Sequence, residues 1–473
     1  MTTHGELPSV LWITLDSVRH DYTSLGTPDR ETTPNLQAIA ARDDAVSFDS
    51  CFAHAHWTPS SSASILTGRR VSSHGIGFAD TTQVAQLPDN LTTVGERFSR
   101  AGYNTACFST NPYLGPVTGL DRGFDVGHWS TSHLDMLSGA GIRTALKYLL
   151  NVRKLGGGFS LSLRDHFDPI HPRYQTEVVK GWMRKLSRDG PFFIYNHINS
   201  THHPYNPPVT VLRRYLAGTD LTAKEAIRTA RAITDDIWGF MAEERPLTER
   251  EKTALVAVYE AEIAYHDTLV AELYQYAMSL DTPVIVVITA DHGELFGEQG
   301  VVGHNLLLSD GIVHVPLVVS GLPGLDSRGD DIVQHIDVMQ TVLESVGADA
   351  SGFEGVNLLK QSPGFAIAER GPRPSNLEAI RTKNSLYEGE YMTDALAMLR
   401  TDTWKLLRNG DEHHLYRLPD EETDLARSYP DVVETLGEIL DERVGSSPAV
   451  EDVDATAEYD PETLSRLESL GYL

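Results

Sequence analysis

The chain contains few cysteines and no long apolar stretch. Its 473 residues include only Cys51 and Cys107, too few for a disulfide framework or for a metal site built from thiolates. No apolar run is long enough to form a transmembrane helix. The first residues, 1–6, lack the basic segment and the apolar segment of a secretory signal. We therefore expect a cytoplasmic protein without a membrane span.

Basic residues are also scarce. The chain has 39 Lys and Arg against 66 Asp and Glu, which gives a formal net charge of −27. So acidic a surface repels phosphates and argues against nucleic acid as a partner. The acidity is spread along the whole chain and Lys is scarce relative to Arg, a pattern that favours a cytosol adapted to high salt, where ions screen the repulsion between carboxylates. An ordinary acidic soluble protein is the alternative.

The order of predicted elements indicates the fold class. Buried strands alternate with helices over most of the chain, and this alternation is typical of a mostly parallel, doubly wound α/β sheet with helices on both faces. The predicted strands are 10–15, 105–109, 191–198 and 284–288, and the predicted helices begin near Pro34, Leu91 and Lys252.

The chain divides at about residue 347. Residues 1–347 are predicted to form the large α/β domain, in which the Gly-rich and irregular segment 130–163 is interpreted as an insertion or a lid. Residues 348–473 are predicted to form a small α+β subdomain. Within it, residues 398–408 and 414–418 read as antiparallel strands joined through Asn409-Gly410, a pair typical of tight hairpin turns.

Acidic residues follow two of the predicted strands directly. The first strand runs into Asp16, and the apolar run 284–288 leads to Asp291 and His292. Strands of a parallel sheet deliver such side chains to one edge, and carboxylate and imidazole groups suit Mg²⁺, Mn²⁺, Ca²⁺ or Zn²⁺. A lone Asp after a strand usually caps the next helix. Two strand ends and an Asp-His pair together indicate a metal site.

A hydroxyl-rich segment lies between these strands. It runs from Trp57 to Arg69 and contains Thr58, which precedes Pro59 at the predicted start of a helix. A plain helix cap is the default role of such a Thr. However, a hydroxyl at a helix N-terminus lies in positive potential, and a coordinated cation would lower its pKa further, so Thr58 is also a candidate nucleophile. Ser60 and Ser61 are alternatives in a shifted register.

These segments resemble the sulfatases of the alkaline phosphatase superfamily over nearly the whole chain. The resemblance implies a large, mostly parallel sheet between helices and a small C-terminal sheet. The matching segments occur in the family's order: 13–21, 33–36, 57–69, 74–75, 101–105, 122–125, 202–205, 259–263, 289–294, 303–304, 315–317 and 415–416.

The resemblance also implies roles for individual residues. Thr58 falls at the position of the family's nucleophile and would also contact the metal. Asp16, Asp291 and His292 fall at metal-ligand positions. His202 and His304 fall where the family places groups that hold anionic oxygens or protonate the leaving group. No role is assigned to His54, His56, His197, His413 or His414, and His203 is interpreted as a packing residue.

The chain departs from the family pattern at several positions. Sulfatases proper oxidise a Cys or Ser to formylglycine, but Thr58 carries a methyl group on its β-carbon and cannot yield an aldehyde. Ser62 and Ser17 replace an Arg and the second acid of an Asp-Asp pair. His304 replaces a common Lys, and His314 replaces the Arg before Val315. With one carboxylate fewer and a His ligand, we expect a single divalent ion.

The departures resemble the branch of the superfamily with a Thr nucleophile, which includes phosphotransferases of the lipoteichoic acid synthase type. We therefore expect a metal-dependent hydrolase or transferase that acts on a small-molecule or glycan ester, with phosphate esters ahead of sulfate esters. Two alternatives remain open: a true sulfatase that uses Thr58 directly, and a non-catalytic protein that binds an anionic glycan. Nothing in the sequence points to an oligomeric state.

Overall fold

The protein is described here from a computed structural model, which covers residues 7–80, 84–129, 171–326 and 331–445. The predicted insertion or lid at 130–163 lies outside the described residues. Within the described ranges, no helix is both long enough and apolar enough to cross a membrane.

A large sheet of eight strands forms the centre of the described chain, in the order β10-β2-β9-β6-β1-β5-β3-β4. Only β9 runs antiparallel to its neighbours in this sheet. The fold predicted from sequence, a mostly parallel α/β sheet, is therefore confirmed. The strands are β1 (Ser9–Leu15), β2 (Ala45–Phe52), β3 (Asn104–Phe108), β4 (Val126–His128), β5 (Phe192–Ile198), β6 (Val284–Ala290), β9 (His314–Ser320) and β10 (Ile332–Gln334). A short separate ribbon pairs β7 (Leu295–Phe296) with β8 (Val302–Gly303).

The three central strands are buried along their whole length because helices cover the sheet. Every residue of β1, β5 and β6 is buried, which explains why these strands read as nearly continuous apolar runs. The helices are α1 (Pro34–Ala40), α2 (Thr58–Thr67), α3 (Val71–His74), α4 (Val94–Arg100), α5 (His171–Leu186), α6 (Val209–Tyr215), α7 (Ala223–Thr234), α8 (Ile237–Met241), α9 (Glu249–Met278), α10 (Asp310–Val313), α11 (His335–Ser345), α12 (Pro374–Lys383) and α13 (Pro430–Val444).

The long helix α9 organises one group of helices. It contacts α1, α5, α6 and α7 as well as β6, and it begins with a capping box in which Thr248 and Glu251 satisfy each other's backbone N–H groups. The sequence predicts this helix to within a few residues at each end. A second group joins α2 to α3, α4 and α11.

A second sheet of four antiparallel strands follows in the C-terminal part. It contains β11 (Ala366–Arg370), β12 (Leu396–Arg400), β13 (Trp404–Asn409) and β14 (Glu412–Arg417). The predicted hairpin at Asn409-Gly410 is present, since Asn409 pairs with Glu412. The single strand predicted over 398–408 is wrong in detail: Thr401 turns the chain by bonding to Trp404, and two strands result.

The small sheet packs partly on a core of its own and partly on the large sheet. Leu399, Leu406 and Leu415 belong to a separate apolar cluster with Leu436 and Leu440 of α13. Gln334, at the end of β10, donates a hydrogen bond to the carbonyl of Ile367 in β11 and accepts one from its N–H, which ties the two sheets together. The domain boundary at 347 stays a prediction.

Candidate active site

The central strands deliver two carboxylates to one edge of the sheet. Leu15, the last residue of β1, pairs with Ala290 of β6 and with Ile198 of β5. The residues that follow β1 and β6 are Asp16 and Asp291, and both are 0% exposed. The proximity of these two residues, expected from the parallel strand ends, is therefore present in the structure.

Thr58 is the first residue of α2 and is also fully buried. Its hydroxyl oxygen lies 3.3 and 3.4 Å from the two carboxylate oxygens of Asp16 and 3.2 Å from Nε2 of His292. The start of the helix therefore places the hydroxyl among the residues that follow β1 and β6. Positive potential at this helix end would favour an alkoxide and the anion that it attacks.

The two other candidate nucleophiles have different surroundings. The Ser60 hydroxyl donates to the carbonyl of Ile76 and accepts from Nε1 of Trp57. The Ser61 hydroxyl donates to the backbone carbonyl of Asp291 at 2.6 Å. Both hydroxyl groups therefore hold the backbone together, whereas the Thr58 hydroxyl faces the acidic and imidazole groups.

The ring of His292 is oriented by its own turn. Its Nδ1 lies 2.8 Å from the carbonyl oxygen of Gly293, so Nδ1 carries the proton and the Nε2 lone pair points towards Thr58 and the carboxylates. Nε2 lies 3.6 Å from Oδ1 of Asp16 and 3.7 Å from Oδ2 of Asp291. A hydrogen bond from the far ring nitrogen to a carbonyl is the usual way in which a metal-binding His is oriented.

The sequence analysis missed His197, which the structure places in the same cluster. The residue lies in β5, pairs with Thr14 of β1, and is 0% exposed. Its Nε2 lies 3.2 Å from Oδ2 of Asp16 and 4.0 Å from Oδ2 of Asp291. A His within an apolar strand reads as a core residue, and only the placement of β5 beside β1 reveals its position.

A second cluster of imidazoles adjoins the first. The rings of His202 and His304 lie 5.0 Å apart, and the His304 ring lies 4.5 Å from that of His292. His203 lies near both, with its ring tilted against them at 4.2 Å from the His202 ring and 5.7 Å from the His304 ring. The structure therefore brings together the catalytic residues suggested by the family resemblance, and it adds His203 to them.

Glu294 lies behind this second cluster. Its carboxylate lies 3.0 Å from Nδ1 of His304 and accepts a hydrogen bond from the Tyr205 hydroxyl at 3.1 Å. Burial raises the pKa of Glu294 to about 7. Burial and the neighbouring imidazoles lower the pKa of His304 well below its usual value. Near neutral pH, the proton of this pair is therefore held by Glu294 rather than by His304.

The pKa values of the two carboxylates in the first cluster are shifted in opposite directions. Burial alone would raise the pKa of Asp16, but the imidazoles of His202, His197 and His292 lower it well below its usual range. Burial and then the negative charge of Asp16 raise the pKa of Asp291. In the described ranges, both carboxylates form ion pairs with His197 and His292.

The donor atoms fit a divalent cation. Oδ2 of Asp291 is buried and has no hydrogen-bond partner among the described residues, which is costly unless a cation occupies the adjacent space. Ligand bonds of 2.0–2.2 Å in tetrahedral geometry require donor atoms roughly 3.3–3.6 Å apart. The Thr58 hydroxyl oxygen lies 3.2–3.4 Å from the donor atoms of His292 and Asp16, and Nε2 of His292 lies 3.6 and 3.7 Å from those of Asp16 and Asp291.

Ser17 and His314 stand where the family resemblance places an Asp and an Arg, and their surroundings differ. Ser17 has a φ of 58°, and its hydroxyl donates to Oδ1 of Asp16 at 2.9 Å. Its backbone N–H donates to Oδ1 of Asp291 at 3.1 Å. His314 instead stacks on His20 and bonds to the carbonyl of Asp49. Ser17 therefore supports the two acids.

Fold and site together define an α/β protein with a buried centre of carboxylates and imidazoles at the carboxyl edge of its sheet. A protein family described as Sulfatase matches residues 8–348. The chain therefore belongs to the sulfatase family, as its sequence motifs suggested.

The chain is similar to a curated protein, arylsulfatase K of Gallus gallus, at 28% identity over 298 residues. The match covers 56% of this chain and 54% of the arylsulfatase, so this chain spans about half the length of that relative.

Two solved structures share the fold. The phosphonate monoester hydrolase of Agrobacterium radiobacter aligns with a TM-score of 0.66 and 21% identity, covering 93% of this chain and 96% of the hydrolase. A protein solved with its substrate D-glucosamine-2-N,6-O-disulfate aligns with a TM-score of 0.64 and 16% identity, covering 93% of this chain and 98% of the other. These likenesses support the same α/β architecture.

Proposed function

We propose that this protein is a metal-dependent ester hydrolase or transferase that acts through a covalent intermediate on Thr58, with phosphate esters ahead of sulfate esters. The observation that carries the proposal is the position of the Thr58 hydroxyl, 3.2 Å from His292 and 3.3 Å from Asp16 at the start of α2. The sequence-based expectation of an ester hydrolase agrees with the arylsulfatase and phosphonate hydrolase relatives.

One divalent ion would be held by Asp16, Thr58, Asp291 and His292. Bound there, a cation would polarise the ester and lower the pKa of the Thr58 hydroxyl. Members of the family generally use a divalent metal ion, and the donor set here suits Mn²⁺, Mg²⁺, Ca²⁺ or Zn²⁺.

In the first step, the Thr58 oxygen attacks phosphorus in line with the leaving oxygen. A Thr–O–P bond forms, the bond from phosphorus to the leaving oxygen breaks, and the hydroxyl proton is lost to solvent. The leaving oxygen takes a proton from His202 or His304. The Glu294 carboxyl group, 3.0 Å from Nδ1 of His304, orients this imidazole from behind.

In the second step, water or a second alcohol attacks the phosphoryl group of Thr58. The Thr–O–P bond breaks, the Thr58 oxygen recovers its proton, and the imidazole recovers a proton from the attacking molecule. The products are an alcohol and a phosphate, or a new phosphate ester in the transferase case. The positive end of α2 and the imidazoles offset the charge that develops on the oxygens.

The substrate proposed for this site is a small-molecule or glycan ester. The relative solved with a disulfated glucosamine supports a glycan ester as one candidate class. A sulfate ester is the second candidate function, favoured by membership of the sulfatase family. Thr58 argues for phosphate because a side chain with a β-methyl group cannot be oxidised to an aldehyde. We also propose that the protein works in a cytoplasm of high salt concentration, as its acidic composition suggests.

Paired aryl esters test the proposal. Purified protein is assayed on an aryl phosphate monoester, an aryl phosphate diester and an aryl sulfate, in high salt with each of the candidate metals, beside Thr58→Ala. We expect phosphate-ester turnover that the variant lacks. Sulfate release lost in the same variant would instead establish a Thr-dependent sulfatase. Absence of turnover with every ester and metal would contradict the hydrolase and favour a transferase or a glycan-binding protein.

A further inference from the structure

His197, in β5, is placed unlike several buried histidines elsewhere in the fold. Among the described residues, His54, His74 and His335 bond through a ring nitrogen to neutral partners such as Gln334, Ser64 and Thr289. His197 instead directs Nε2 at two carboxylates, and its Nδ1 has no hydrogen-bond partner among the described residues. Within the described part of the chain, the polar contacts of the His197 ring are therefore with the acidic pair.

The distances from Nε2 of His197 to the two carboxylates bracket those from Nε2 of His292. Nε2 of His197 lies 3.2 Å from Asp16 Oδ2 and 4.0 Å from Asp291 Oδ2, while Nε2 of His292 lies 3.6 and 3.7 Å from the same two carboxylates. Both imidazoles therefore face the space between the acids. Asp16, His197 and Asp291 also form a group whose ligand atoms all lie within 4.8 Å of one another.

We propose that His197 is a ligand of the metal ion, and that two imidazoles, from His197 and His292, make this centre select Mn²⁺ or Zn²⁺ over Ca²⁺. The inference rests on the metal centre of the proposed function. Calcium takes six to eight oxygen ligands, whereas imidazole suits Zn²⁺ and other transition metals. Here, Ser17 contributes a hydroxyl that bonds to Asp16, so the chain supplies a second nitrogen in place of a third carboxylate.

A competing explanation assigns His197 a positioning role. In that case Nε2–H donates an ordinary hydrogen bond to Asp16 and the ring never contacts the ion. The two explanations differ in the number of nitrogen atoms bound to the metal, which can be measured without any substrate.

The first experiment counts these nitrogen atoms. Metal-free protein is loaded with one equivalent of Mn²⁺, and electron spin-echo modulation records the ¹⁴N couplings. We expect two imidazole couplings in the native protein and in His202→Gln, and one in His197→Gln. A single coupling in the native protein, two in His197→Gln, or the loss of one in His202→Gln would overturn the proposal. Even if a variant fails to fold, a single coupling in the native protein overturns the proposal.

The second experiment measures metal affinity. Mn²⁺ and Ca²⁺ are titrated into metal-free native protein, His197→Gln and the matched control His266→Gln. His266 is equally buried, and its Nδ1 bonds to a backbone carbonyl in α9. We expect His197→Gln to lose about 100-fold in Mn²⁺ affinity, with a much smaller change for Ca²⁺, and the control to match the native protein. Equal losses for both ions, or no loss, would contradict the proposal.

A compensating variant makes the test stricter. Ser17→Asp in the His197→Gln background adds a carboxylate beside Asp16, at a left-handed position that Asp tolerates better than most residues. We expect this double variant to regain metal affinity with the preference shifted towards Ca²⁺ and with one nitrogen coupling. Two couplings in the double variant would show that His197 was never a ligand. Because none of these readouts uses turnover, an inactive protein that binds Mn²⁺ through two imidazoles would contradict only the proposed function.

Discussion

The hydroxyl oxygen of Thr58 lies 3.2 Å from Nε2 of His292, across 234 residues of sequence. The start of α2 brings the hydroxyl to the turn that follows β6, so the candidate nucleophile and a candidate metal ligand meet at the edge of the sheet. The same hydroxyl lies within 3.4 Å of both Asp16 oxygens. Its surroundings lead to the first prediction.

Replacing Thr58 by Ala should abolish turnover because the covalent step has no nucleophile. We expect a loss of about 10³-fold or more in kcat with an unchanged circular dichroism spectrum. Thr58→Ser is the matched control, since it keeps the hydroxyl and removes only the methyl group, and it should retain most of the activity. Activity in Thr58→Ala equal to that of Thr58→Ser would contradict this nucleophile and return attention to Ser60 and Ser61.

Removing the metal should affect both turnover and stability. Asp16 and Asp291 are fully buried, and without a cation their negative charges repel each other and disfavour the folded state. We expect a chelator to abolish turnover and to lower Tm by several degrees, because a ligand that binds only the folded protein stabilises it. Adding back one equivalent of the correct ion should restore both. A Tm unaffected by the chelator, with full activity, would argue against a metal at this site.

The two candidate acids can be distinguished by the leaving group. A general acid contributes roughly 10²–10⁴-fold when the leaving oxygen is strongly basic, and much less for a nitrophenolate. His202→Ala and His304→Ala are compared on phenyl and nitrophenyl esters. The variant that lacks the general acid should show a far larger decrease in kcat on the phenyl ester than on the nitrophenyl ester. Equal losses on both esters in both variants would assign the two imidazoles to substrate binding.

Asp267 should make stability depend on pH near the start of α1. Its carboxylate accepts hydrogen bonds from the backbone N–H groups of Asn35 and Leu36 and from the Asn35 side chain. Burial raises the pKa of Asp267 to about 6. The folded state therefore binds more protons than the unfolded state between pH 4 and 6, and this group's contribution to stability falls as pH rises, by up to about 3 kcal/mol.

Urea unfolding of native protein and Asp267→Asn from pH 4 to pH 7 checks this sign. The difference in free energy of unfolding between the two proteins should narrow as pH rises, because only the native protein has the titrating group. Asp267→Ala, which removes every acceptor, should cost about 2–4 kcal/mol at the lower pH. A difference that stays constant, or widens with pH, would contradict the raised pKa.

The acidic composition predicts a response to salt. Raising potassium chloride from about 0.1 M to about 1 M shortens the screening length from about 10 Å to about 3 Å. With a net charge of −27, the folded chain repels itself, so we expect Tm to rise over this range, and equally in sodium chloride. A Tm that stays flat or falls would favour the ordinary acidic protein over the salt-adapted one.

Much of the fold was predictable because its signals are local. Apolar runs such as 284–288 are continuous since both faces of a parallel strand are covered, and the long helix α9 contains no Gly or Pro and has a capping box at its start. The turn at Thr401 was harder to predict, because a Thr–Trp contact divides a run of residues most of which suit a strand.

Some residues of the candidate site could also be predicted from the sequence, and others could not. Asp16, Thr58, Asp291 and His292 stand out in sequence because each follows a strand or opens a helix, and those ends are readable. The partners of His197, and the grouping of His203 and Glu294 around His304, depend on which strands and loops lie side by side. Register between β1 and β5 arises from packing over distances of almost 200 residues, and no local pattern encodes it. The sequence by itself determined the family, the sheet and the reactive groups, whereas the tertiary structure alone decided which imidazoles face the carboxylates.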